Sequence, residues 1–112
     1  MRSVIVVTGR VQIPAEHRAR FIDVASEMCS RSREEDGCAD YRVYADLEQP
    51  DRYVFVEEWA DEAALQRHFA RPHMGVFMSE LPGLLQAPGD VRFHTVASSR
   101  RLDPGRGLVA LD

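Results

Sequence analysis

Residues 38–59 read CADYRVYADLEQPDRYVFVEEW. Two runs rich in aromatic and β-branched residues flank a short polar insert. In the first run, Cys38 to Asp46, the side chains of Tyr41, Val43 and Ala45 fall on one face and those of Arg42 and Tyr44 on the other. Glu48 to Asp51, with Pro50, forms the connecting loop. In the second run, Arg52 to Trp59, Tyr53, Phe55, Glu57 and Trp59 alternate with Val54, Val56 and Glu58. The pattern predicts an antiparallel hairpin, and the elements on either side of it decide the fold class.

Upstream, Ser3 to Gln12 reads as a strand whose valines and isoleucine run almost without a break, so both of its faces are expected to be covered. Pro14 opens a helix reaching about Glu34, at a position where its missing N–H does no harm. Phe21, Val24, Ala25 and Met28 form the buried stripe of that helix, with Glu16, Arg18, Asp23 and Glu27 opposite. Asp36-Gly37 stops it. Downstream, Asp61 is the N-cap of a helix through about Ala70, with Leu65 and Phe69 facing inward and His68 beside them. Pro72 interrupts, and a second helical piece runs from about His73 to Leu85, apolar along Met74, Phe77, Met78, Leu81 and Leu85. Pro88-Gly89 turns the chain into a last strand, Val91 to Ala97.

The order β-α-β-β-α-β predicts an α+β, ferredoxin-like domain over residues 1–97, a four-stranded antiparallel sheet with helices on one face. Residues 98–112, with Pro104, Gly105 and Gly107, are expected as a disordered tail or an arm laid on a partner. Helices cover one face of such a sheet, yet the strands are apolar on both: Val4 and Val6 against Ile5 and Val7, and Val54 and Val56 against Phe55 and Trp59. An open apolar sheet face is unfavourable in water, which predicts a homodimer packed through the sheets.

The chain has 112 residues and a net charge of -4, which fits one domain and argues against sequence-independent nucleic-acid binding. All 14 basic residues are arginine, so Schiff-base and lysine-base chemistries are excluded. No apolar run approaches the length of a membrane span, and Met1 to Gly9 lacks the pattern of a signal peptide, so a cytoplasmic protein is expected. Cys29 and Cys38 have neither zinc-ribbon nor CxxC spacing and are read as reduced, idle thiols. There is no GxGxxG, P-loop or GxSxG. Glu57 and Glu58 point to opposite strand faces and cannot act as a carboxylate pair.

What remains is a cluster: Trp59 at a strand end, then His68, Phe69, Pro72, His73 and Phe77. The histidines are five apart across a proline and show no third ligand, so no metal is expected. Trp59, the imidazoles and Phe77 are expected at one mouth of the space between sheet and helices, with Tyr41 as a phenolic partner. An apolar cleft of this kind suits a flat aromatic ligand, and a neutral imidazole could take a phenolic proton. The residues alone favour a plainer reading, in which Trp59 and Phe77 are core and the histidines bond backbone at the helix break.

Gly37-Cys38, Tyr41-Arg42-Val43-Tyr44, Arg52 to Trp59, Leu65 to Phe69 and Pro72-His73-Met74 together resemble the antibiotic biosynthesis monooxygenase superfamily, in its small quinol-monooxygenase-like branch. The resemblance covers roughly Val4 to Val96. It implies a dimeric α+β barrel. It also implies oxygenation of a small aromatic or quinol with dioxygen and no metal, flavin or nicotinamide. On the resemblance, Trp59, His68 and His73 are the catalytic positions; Tyr41, Phe69 and Phe77 are expected, from their place around the cleft, to contact substrate. Haem degradation is disfavoured, because Val4 to Gly9 contains no asparagine and the later helix lacks the expected histidine. Two other readings stay open: an isomerase of a small polar metabolite on the same scaffold, and a non-catalytic dimer that binds aromatic ligands.

Overall fold

A computed structural model of the chain describes residues 3–111. Strands β1 (Ile5–Gln12), β2 (Cys38–Ala45), β3 (Arg52–Trp59) and β4 (Asp90–Thr95) make one antiparallel sheet in the order β2-β3-β1-β4. Helices α1 (Arg18–Arg33), α2 (Glu62–Phe69) and α3 (Pro72–Glu80) complete the ferredoxin-like order. Among the described residues no helix is long and apolar enough to cross a membrane.

The register explains the core. Ile5 lies opposite Trp59, Val7 opposite Glu57, Val11 opposite Tyr53, and on the other side of β3 Tyr41 faces Glu57 and Val43 faces Phe55. Directly opposed residues share a face of an antiparallel sheet, and these, Val43 in part, with Phe21, Ala25 and Met28 of α1, make up the buried face. Aromatic contacts run along this face, tilted in the first pair and edge-on in the other two. Phe21 meets Tyr53 at 4.8 Å, Phe55 meets Phe77 at 5.5 Å and Tyr41 meets Trp59 at 6.3 Å.

The outer face is apolar along the two central strands, at Val6, Val54 and Val56. Its edges are polar, at Arg42 on β2 and at Arg92 and His94 on β4. Its apolar stripe is therefore narrower than uniform alternation predicts.

Three features differ from expectation. The helix expected to reach Leu85 ends at Glu80 and tightens into a 3-10 turn at Leu81–Gly83, because Pro82 has no N–H to donate to the preceding turn. Met78, expected on the apolar side, is half-exposed. The tail is neither irregular nor part of the main sheet. Strands β5 (Arg100–Asp103) and β6 (Gly107–Ala110) form a separate hairpin. The Asp103 carboxylate accepts from the N–H groups of Gly105 and Arg106 in its turn, and Gly107 supplies a positive φ of 82°.

Candidate active site

The turn between α1 and β2 positions the first group. Glu35 donates its backbone N–H to Ser32 and accepts from Cys38, which fixes it just beyond the helix end. Gly37 follows with φ +87°, and a Cβ there would lie 2.5 Å from the Cβ of Ala64. Helix α2 can therefore back directly onto this turn only with glycine at position 37. Asp61 caps α2 by accepting from the Ala64 N–H at 2.9 Å. His68, one helical turn beyond Ala64, then falls above Glu35. After the break at Arg71, Pro72 starts α3 and His73 turns back toward the same carboxylate.

One oxygen of Glu35 serves both rings. His68 Nδ1 and His73 Nε2 each lie 2.7 Å from Oε2. The side chains of Glu35 and His68 are 5% and 1% exposed and that of His73 12%. An ionised carboxylate only accepts, so each imidazole donates with the nitrogen facing Glu35 and keeps its other nitrogen as a base; the tautomers are assigned from this network. Burial pushes the His68 pKa down, against the Glu35 hydrogen bond, and so favours the neutral ring.

Behind the histidines lies a second polar group on β3. Trp59 Nε1 donates to Glu57 Oε1 at 2.9 Å, and the indole ring stands 4.6 Å from that of His68. Tyr41 packs 5.5 Å from His68 and interacts with the same Glu57 carboxylate. Burial raises the Glu57 pKa from 4.5 to about 7. Hydrogen bonds from Trp59 and Tyr41 hold it below a still higher value, and the charge of Glu35 adds to the rise. Burial and the same carboxylate keep the Tyr41 phenol protonated. Cys29 and Cys38 are pushed by burial to about 11, which fits inert thiols.

Next to this cluster a groove of about 480 Å³ opens between α1 and α3. Val24, Met28, Val76 and Phe77 line it, and His73 forms part of its wall. An ion pair from Arg20 of α1 to Glu80 of α3 spans the two helices. The groove is apolar along Val24, Met28, Val76 and Phe77 and is rimmed by the charged side chains of Arg20, Asp23, Glu27, Arg31, Arg71 and Glu80, an apolar surface with polar groups at its edge that suits a small molecule.

The structure brings His68, His73, Trp59 and Tyr41 together, but not at an open mouth beside Trp59. Trp59, His68 and Tyr41 are interior, at 0%, 1% and 3% exposure. Of the expected site residues, His73 and Phe77 reach the groove. Phe69 departs furthest from expectation: it is 43% exposed and packs edge-on against Phe93 of β4 at 6.1 Å. The buried positions of α2 are Ala64, Leu65 and His68, so the imidazole takes the inner place and Phe69, at the last helical position, swings to the border. The expectation of no metal rested on the lack of a third ligand, and Glu35 supplies such a group. Glu35 and Glu57 were not singled out from sequence. Glu57 had a signal, a lone carboxylate on an otherwise aromatic strand face. Glu35 had none, sitting in the charged run Arg33-Glu34-Glu35-Asp36.

A family model described as antibiotic biosynthesis monooxygenase matches residues 4–80. The uncharacterized protein sll1783 of Synechocystis sp. is 31% identical over 98 residues, covering 88% of this chain and 67% of that protein. YcnE of Bacillus subtilis, named as a candidate monooxygenase, is 32% identical over 87 residues, covering 78% of this chain and 92% of its own. The crystal structure of a conserved protein from Methanosarcina mazei Go1 aligns with a TM-score of 0.80 at 26% identity, covering 84% of this chain and 93% of that one.

Proposed function

Because the chain belongs to the antibiotic biosynthesis monooxygenase family, we propose that it oxidises a small aromatic or quinol-type substrate with dioxygen, with His73 as the base. The observation that carries this reading is the shared carboxylate. Glu35 ties His73, which lines the groove, to the buried His68. Holding Nε2 of His73 as a donor leaves Nδ1 free to accept a phenolic proton, the same division of labour that a carboxylate imposes on a catalytic histidine elsewhere. The phenolate is electron-rich enough to pass an electron to dioxygen. Recombination of the pair forms a carbon–oxygen bond and a peroxide anion, which His73 protonates to the hydroperoxide; removal of the hydrogen on that carbon, as hydroxide leaves the O–O bond, then releases water and leaves a quinone carbonyl. An apolar groove strengthens the interaction of the anion with the imidazolium.

An oxygen electrode with menadiol or an anthrone tests the reading. Oxygen uptake should accompany product, and His73→Ala should lower turnover about 10²–10⁴-fold, the range for losing a general base. Equal product formation without oxygen would sink the oxygenase assignment in favour of an isomerase. Binding of aromatics without turnover would leave a ligand-binding protein.

The proposal includes a homodimer joined through the outer sheet faces. Its support is the stripe of Val6, Val54 and Val56, together with Val4 at 42% and Tyr44 at 50% exposure. Sedimentation at micromolar concentration should give twice the mass of one chain; the mass of a single chain would remove this part of the proposal.

A further inference from the structure

The three side chains that set the proposed base are also a ligand set. We infer that Glu35, His68 and His73 form a binding site for a divalent first-row transition-metal ion, held by two imidazole nitrogens and one carboxylate oxygen. Each residue offers one ligand atom, and the three atoms lie within 4.8 Å of one another. Ligands about 2.0–2.2 Å from a shared ion stand roughly 3–3.4 Å apart. For an ion to enter, the two nitrogen-to-oxygen distances of 2.7 Å widen by well under ~1 Å and the two ring nitrogens, within 4.8 Å of each other, draw together by up to roughly 1–2 Å. Both rings must move their proton to the other nitrogen, and no net proton has to leave a neutral pair.

The surroundings favour a cation. Among the described residues the ion-pair partners found for Glu35 are the two imidazoles, so no guanidinium has to be displaced. The carboxylate of Glu57 is near enough for the charge of Glu35 to raise its pKa, and a cation between the rings would relieve that repulsion. The groove beside His73 offers an entry path and room for water or substrate at the remaining coordination positions. Two imidazoles select transition ions over magnesium and calcium, and a set of two histidines and one carboxylate with open positions suits Zn²⁺, Fe²⁺ or Co²⁺.

This inference concerns occupancy: a bound ion takes His73 Nε2 and leaves the ring's proton on Nδ1, so the metal-bound form and the form with His73 as base are alternatives of one site. The test uses the full chain without an affinity tag and without substrate. Zn²⁺ is titrated by calorimetry and Co²⁺ by its visible absorption. One equivalent should bind, with no competition from excess Ca²⁺. Glu35→Gln and His73→Gln should each weaken binding about tenfold or more, while a His17→Gln, His94→Gln double variant keeps it. If Glu35→Gln fails to fold by circular dichroism, His73→Gln at the groove edge carries the comparison. A folded wild-type chain that takes up neither ion overturns the inference, as does unchanged affinity in His73→Gln. Metal binding together with no oxygen uptake by the chelator-treated, metal-free protein would leave this site standing and remove the oxygenase reading. Oxygen uptake by chelator-treated protein with no metal binding would do the reverse.

Discussion

Glu57 and Glu58 are neighbours on β3 with opposite surroundings. Glu57 is 7% exposed on the inner face, next to Trp59 and Tyr41, and Glu58 is exposed on the outer face across from Val6. The same division holds for the apolar residues away from β4, where Val91 and Phe93 share the inner face with Gly9 and Val7 yet are 55% and 53% exposed. Ile5, Val7, Phe55 and Trp59 are at most 6% exposed, whereas the outer-face residues Val4 and Tyr44 are 42% and 50% exposed. Alternation assigns a residue to a face, but its energetic weight depends on what packs there. On the inner face a charge must be neutralised or hydrogen-bonded, and Glu57 shows both a raised pKa and two donors. On the outer face water does that work.

Large-to-small substitution is the harshest test of this contrast. Trp59→Ala should cost about 3–5 kcal/mol in urea unfolding, as expected for a fully buried aromatic. Val56→Ala on the outer face should cost clearly less at concentrations where the chain is monomeric. Equal losses would mean that the outer face is covered too.

The second test is pH. The folded pKa of Glu57 is raised from 4.5 to about 7, so the folded state holds its proton more tightly than the unfolded state. Its favourable contribution is complete below about 4.5 and is lost as pH rises through about 7. Unfolding free energy of the wild type should fall by up to about 3 kcal/mol across that window, at about 1.4 kcal/mol per pKa unit. Glu57→Gln should flatten that slope, and Glu58→Gln should leave it in place. A wild-type profile with no fall between those values would contradict the burial of an acid there.

The mildest effect is at the helix that carries His68. Asp61→Ala removes the cap of α2 and should cost about 1 kcal/mol by thermal or urea unfolding. A loss below a few tenths would mean that inner-face packing holds α2 in place without its cap.

Most of the fold was legible because its signals are local. β-Branched runs mark β1 and β3, and the spacing of Phe21, Ala25 and Met28 marks α1. The misread parts depend on single backbone features. Pro82 shortens the last helix, and Asp103 with Gly107 folds into a hairpin the tail expected either as disorder or as an arm laid on a partner. In the site, His68 and His73 stood out as rare side chains around a proline. Glu35 did not, because 33 residues of chain separate it from His68 and only the return of α2 over the turn joins them. The reading of Glu57 and Glu58 as no carboxylate pair agrees with their placement on opposite faces, but it overlooked that one member of the pair was buried.

Gly37 acts as a spacer of zero thickness. It touches no imidazole, yet it sets how closely α2 approaches the turn that bears Glu35, because even one methyl group there would collide with Ala64. The contact between carboxylate and rings is thus adjustable from a residue with no chemistry of its own. A survey of variants for lost function would be expected to flag position 37 beside the histidines. A graded series from alanine to larger side chains there would act as a shim, prising the two halves of the cluster apart while leaving every one of its reactive groups intact.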